Sequence, residues 1–105
     1  MCEGTCVKSA FHPEAREELL AAVDFYNQVE SGLGLDFANE IQAAVDMIEA
    51  FPNAWTPVDS DLCRCLVRRF PYAILYAVER DVVMIYAVMH IHRDPDYWKS
   101  RRHVD

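Results

Sequence analysis

The 105-residue chain has no apolar run approaching the ~20 residues that a membrane-spanning helix requires. Its opening residues, Met1-Cys2-Glu3-Gly4-Thr5, lack a basic stretch leading into an apolar one, so no secretory leader is expected and a cytoplasmic location follows by default. Internal repeats, low-complexity stretches and linkers are also missing. One domain is expected, long enough for a single two-layer core and too short for two. The four cysteines, spaced Cys2-x3-Cys6 and Cys63-x-Cys65, do not form the Cys-x2-Cys knuckle of a zinc site. They are read as buried or idle thiols, since disulfides are disfavoured in the cytosol; no metal and no cofactor is expected. Lysine is confined to Lys8 and Lys99.

The charge is unevenly spread. Residues 1–60 hold two basic residues against eleven acidic ones, a net of −9, whereas residues 61–105 hold eight against six, a net of +2. Any anion-seeking face must lie in the second half. The overall charge of −7 argues against strong non-specific nucleic-acid binding, which requires clustered Lys and Arg, so no direct DNA binding by the chain alone is expected.

Thr5 to Phe11 reads as a short strand. His12-Pro13-Glu14 then opens a helix: Pro13 suits the first helical position, and Glu14, Glu17 and Glu18 suit the positive end of the helix dipole. Ala15, Leu19, Ala22, Val23, Tyr26 and Val29 recur at steps of three and four as one stripe. Ser31-Gly32 is expected to end that helix through the glycine. A second helix starts near Leu33 to Asp36, buries Phe37, Ile41, Ala44, Val45 and Ile48, and stops at Phe51-Pro52. The short connection predicts an antiparallel helical hairpin.

Pro52 to Pro57 reads as a loop or short edge segment, because two prolines exclude a central strand. Asp59-Ser60-Asp61 reads as a turn. Strands are predicted over Leu62–Phe70, Ala73–Glu79 and Val82–Met89, with a tight turn at Arg80-Asp81 and short links that force antiparallel pairing. Pro95 to His103 is expected to form a short helix capped by Asp94. The order is β-α-α-β-β-β with a trailing helix: an α+β fold in which the hairpin covers one face of an antiparallel sheet and leaves the other for the arginines of the second half.

The chain resembles the RelE/ParE superfamily, the toxin half of type II toxin–antitoxin modules, many of whose members are known as plasmid stabilisation proteins. The motifs are Phe11-His12-Pro13-Glu14-Ala15 with Glu18-Leu19, Gly32-Leu33-Gly34-Leu35-Asp36-Phe37 and Ile48-Glu49-Ala50-Phe51-Pro52. Arg68-Arg69-Phe70-Pro71-Tyr72-Ala73-Ile74-Leu75-Tyr76 and Ala87-Val88-Met89-His90 through Arg93, Pro95 and Trp98 complete the set, in an order that covers about Phe11 to Arg101. The Phe-Pro-Tyr link and the His-x-x-Arg-x-Pro-x-x-Trp ending are closer to the ParE side. The resemblance implies the fold just described, a bacterial growth-inhibiting toxin, and a small antitoxin whose C-terminal segment wraps it. The implied target is DNA gyrase, reached by protein–protein contact without a known catalytic set; RelE-like relatives instead cut messenger RNA on the ribosome.

Metal-independent RNA cleavage needs a base, cations and an acid on one surface. Arg64, Arg68, Arg93 and Tyr97 are the set that would serve a ribonuclease. The middle strands carry no lysine, and Trp98, which cannot exchange protons, stands at or beside the place of the tyrosine that RelE-type enzymes carry. The candidate target-binding residues are Arg69, His90, His92, Arg93, Trp98 and Arg101, a set rich in recognition-type side chains. Alternation puts Arg64 and Arg68 on one strand face and Arg69 on the other, and leaves open whether Leu62 and Leu66 or Cys63, Cys65 and Val67 face inward. One arginine could pair with a helix carboxylate such as Glu14 or Glu18. Two histidines without a third ligand favour hydrogen bonding over metal binding. Tyr72 and Tyr76 are expected at the core rim with hydroxyls reaching water. A third reading is a binding module of the same fold without toxicity.

Overall fold

A computed structural model describes residues 8–52, 54–59 and 62–92 of the chain. β1 (Lys8–Phe11) leads through His12 into α1 (Pro13–Val29), which is followed by α2 (Leu33–Ala50), and four strands come after: β2 (Thr56–Asp59), β3 (Leu62–Leu66), β4 (Tyr72–Glu79) and β5 (Val82–His90). The sheet order is β1-β5-β4-β3-β2. The predicted C-terminal helix over Pro95–His103 and most of the Asp59–Asp61 turn lie outside the described residues.

The α2 stripe is buried or half-buried as read from its periodicity, and so is that of α1 except at its end, where Val29 is 60% exposed because the helix there has run past the sheet-facing core. Ala15 and Ala22 of α1, and Phe37, Ile41, Val45 and Ile48 of α2, meet Cys65, Val67, Ile74, Tyr76, Val83, Ile85 and Val88 from the sheet in one core. Cys63, Cys65 and Val67 therefore face the helices, which settles the register that alternation left open. Leu62 faces away and is buried in a second cluster with Ala73, Leu75, Ala77, Tyr86, Ala87 and Met89.

α1 does not end through a glycine as expected. It stops at Val29 with Glu30 in extended conformation, and Gly32, at φ 89°, instead caps the start of α2. The residue after it but one, Gly34, gives the hairpin its close approach: a Cβ there would collide with the Val23 carbonyl oxygen and lie 2.6 Å from Asn27 Cγ. In its place, the Gly34 N–H donates to Asn27 Oδ1 at 2.9 Å.

The sheet is mixed, not purely antiparallel. β1 pairs with β5 in parallel, Lys8 opposite Val82 through Phe11 opposite Ile85. The cause is β2. A helical hairpin returns the chain to the end of the sheet at which β1 stopped. Three antiparallel strands from there would leave the last opposite to β1; four leave it parallel. The segment holding Pro57 forms the extra strand at the edge of the sheet, antiparallel to β3. Proline is tolerated because Thr56 and Arg64 share the hydrogen-bonded position, so the missing N–H of Pro57 falls on the solvent side. β3 ends at Leu66, short of the predicted Phe70, and a bulge between β4 and β5 lets Tyr86 and Ala87 both face the second cluster.

Candidate functional site

The connection from β3 to β4 is built on aromatic packing. Phe70 and Tyr72 each lie against both Phe37 and Tyr26, with ring centroids 4.9–6.2 Å apart, a mutual contact of three elements and a loop. The Val67 N–H donates to the Tyr72 carbonyl at 2.9 Å and Tyr72 N–H to Phe70 O at 2.8 Å, closing a tight corner. Arg69 occupies the exposed apex with φ 73°, in the left-handed region that a non-glycine residue adopts at a cost.

That corner separates the arginines. Arg69 swings over the Phe70 ring, 5.6 Å from its centroid, and reaches Asp36 Oδ2 at 3.7 Å and Glu40 Oε2 at 3.6 Å on the first turns of α2. An arginine–helix carboxylate pair thus exists, but with Asp36 and Glu40 as partners. Because β3 stops at Leu66, alternation no longer governs Arg68. It lies exposed at a groove between α2 and β3, on the same flank as Arg69, whereas Arg64 is exposed on the face away from the helices. Arg64 and Arg68 therefore do not share a face. No ion pair is formed by either among the described residues.

His90 and His92 do lie side by side, 5.3 Å between ring centroids, as the last strand residue and the turn after it. The His92 N–H donates to His90 Nδ1 at 3.1 Å, and His90 stands edge-on to Tyr72. The His90 ring is thus hydrogen-bonded through the backbone of His92, and among the described residues no cluster of three potential metal ligands exists. Arg93, Tyr97, Trp98 and Arg101 lie outside the described residues, so the C-terminal part of the candidate set has no structural account.

Two side chains have roles that the sequence did not disclose. Glu18 Oε1 accepts the Val88 N–H at 3.0 Å, occupying the edge of β5 beyond the reach of β1, which pairs only as far as Ile85. Tyr76 is not at the rim: it is fully buried, and its hydroxyl donates to the Pro52 carbonyl at 2.6 Å. Burial, with Cys63 and Cys65 beside it, drives its phenol far above the ordinary range. Burial likewise raises Tyr72, helped by the neighbouring Tyr26 and Glu18, and raises the Cys65 thiol. A raised thiol pKa makes Cys65 a poor nucleophile, in keeping with a packing role.

The family model described as "ParE toxin of type II toxin-antitoxin system, parDE" matches residues 10–95. Among solved structures, a chain of the "Chromosomal ParDE TA system from P. aeruginosa" superposes with a TM-score of 0.73 at 17% identity, covering 82% of this chain and 97% of that one. At that identity the likeness speaks for the fold. No curated protein matches the chain.

Proposed function

This chain belongs to the ParE toxin family of type II toxin–antitoxin systems, and from that premise we propose that it inhibits bacterial growth by protein–protein contact with DNA gyrase. A cognate antitoxin neutralises it by lying along the helical hairpin and the sheet edge, and the pair serves plasmid stabilisation. No helix among the described residues is long and apolar enough to cross a membrane, and the module is assigned to the cytoplasm.

The observation that supports contact over catalysis is the dispersal of the guanidinium groups. Phosphodiester cleavage without a metal needs cations converging on one phosphate. Arg64 lies on the face away from the helices, Arg68 beside α2, and Arg69 is engaged by two carboxylates. Such an arrangement suits a broad surface that meets a protein.

The test is expression of the chain alone and together with the adjacent short reading frame, followed by a supercoiling assay with purified gyrase. Growth arrest relieved by the neighbour, with gyrase inhibited in vitro, supports the reading. Arrest with gyrase unaffected and new 5′ ends at translated codons would move the assignment to a ribosome-dependent endoribonuclease. Binding of the antitoxin without any growth defect would make the chain a non-toxic binding module.

A further inference from the structure

β5 carries a self-adhesive stretch. Val82–Met89 is an unbroken run of β-branched, aromatic and other apolar residues, without a charge, a proline or a glycine. A run of that kind pairs readily with copies of itself wherever its edge is open. Folded proteins counter the hazard by covering the edge or by placing a charge on it.

The fold covers this run in two parts. β1 takes the first half: Lys8 to Phe11 lie opposite Val82 to Ile85, and the His12 N–H donates to the Ile85 carbonyl at 2.8 Å. From Tyr86 to His90 the sheet continues on the β4 side, and among the described residues no strand lies along the other. A groove of about 220 Å³ runs there between α1 and β5, with Glu18, Ala21, Phe25, Tyr72 and His90 in its walls. Phe25 at its rim is 56% exposed, and Ile91 just past β5 is 41% exposed. An added strand has room at this edge and apolar surface to bury.

One side chain stands in the way. Glu18, half-buried on α1, accepts the Val88 N–H on its Oε1 at 3.0 Å, across 70 positions of sequence. Because Val88 sends its N–H to this edge, its carbonyl leaves on the same side. Val88 is thus the residue with which β5 would pair antiparallel to β5 of a second copy. About a two-fold axis Val88 would stand opposite itself, each N–H donating to the other copy's carbonyl. Glu18 already holds that donor. The same axis would bring two Glu18 carboxylates to one seam, and like charges repel there.

We propose that Glu18 guards the free half of β5: by holding the Val88 amide, it keeps the strand from pairing with β5 of a second copy of this chain. The second copy is the occupant excluded because β5 supplies both strands of the pair, and a two-fold axis makes any antiparallel edge complementary to itself. The role is one of specificity in assembly. It is independent of the toxin's target and of its antitoxin, and it holds whether or not the growth-inhibition reading does.

The test follows the mass of the full-length chain in solution by size exclusion with light scattering, over a range of concentrations. Glu18→Ala favours the helix and leaves the core stripe of α1 intact; Glu18→Ser, too short to reach Val88, is a second variant without the cap. Thermal melts identify which variants fold. Both are expected to double in apparent mass relative to the parent as concentration rises. Glu18→Gln keeps the acceptor oxygen and should associate about tenfold more weakly than Glu18→Ala. Hydrogen exchange reads the same amide directly. Val88 should be protected in the parent at every concentration, and in Glu18→Ala only where the mass has doubled. Folded Glu18→Ala or Glu18→Ser that keeps the parent's mass overturns the proposal. So does a doubled mass with the Val88 amide exchanging freely, which puts the contact elsewhere. Association of Glu18→Gln as strong as that of Glu18→Ala overturns it too, because the hydrogen bond to Val88 is then not what holds the edge closed.

Discussion

Tyr76 ties the middle of β4 to the exit of α2 through its hydroxyl on the Pro52 carbonyl, across 24 residues of sequence. Replacing it with Phe keeps the ring in the core but leaves a part-buried carbonyl without its donor. Denaturant titration at pH 7 is expected to show a loss of about 1–3 kcal/mol. Arg69 poses the opposite case. Its contacts to Asp36 and Glu40 are long, with Arg69 and Asp36 about half exposed, and such pairs contribute about 0–1 kcal/mol. Arg69→Gly also relieves a left-handed backbone, so stability should change by less than ~1 kcal/mol, and any larger effect on antitoxin or gyrase binding is then a direct role in contact. The identities of these residues were plain in the sequence. Their partners were not, because Pro52, Asp36 and Glu40 are 24 to 33 positions distant and nothing local distinguishes a rim tyrosine from a buried one.

Two connections show how element geometry is set by a few atoms. Gly34 allows α2 to touch α1 at Val23 and Asn27. Gly34→Ala gains about 1 kcal/mol of helix propensity, but must push the helices apart and break the Asn27 hydrogen bond. A net loss of about 2 kcal/mol or more is expected in chemical denaturation. The β4–β5 turn places Arg80 at φ 53° and Asp81 at φ 67°, the left-handed pair that a two-residue hairpin requires and that Asn-Gly fills best. Arg80→Asn with Asp81→Gly should raise the unfolding free energy by about 1 kcal/mol, measured in the same way. The helices were legible because a stripe of period 3.6 is long and redundant. β2 was less so: four residues including a proline carry almost no periodic signal, and the edge position that tolerates proline exists only once β3 is in place.

Across the whole molecule the shifted acids agree in sign. Tyr26, Tyr72, Tyr76 and Cys65 all hold their protons more tightly in the fold, each chiefly because burial penalises the charged form. A group whose folded pKa is raised binds more protons in the folded state, so its contribution is complete below the unfolded value and fades as pH climbs toward the folded one. The starting values are 9.0 for the thiol and 10.0 for the phenols. From these groups, stability is expected to be level through neutral pH and to fall above about pH 9–10. Urea midpoints measured from pH 7 to 11 check this, and the Tyr76→Phe variant should lose less across the alkaline range than the parent. The mixed sheet belongs to this scale too. Whether β1 runs with or against β5 depends on the parity of all the strands between them, so the segment read as either a loop or a short edge decided it by forming β2.

Sequence alone determined the helical hairpin, the three central strands and the family likeness, because those follow from periodicity, turn residues and motif order that each stretch of chain carries within itself. Only the tertiary structure decided which arginines stand together. A corner of four aromatic rings turns Arg68 and Arg69 toward α2 while the strand before it holds Arg64 on the other face. Directions after a strand's end are set by packing between distant elements, and no local spacing records them.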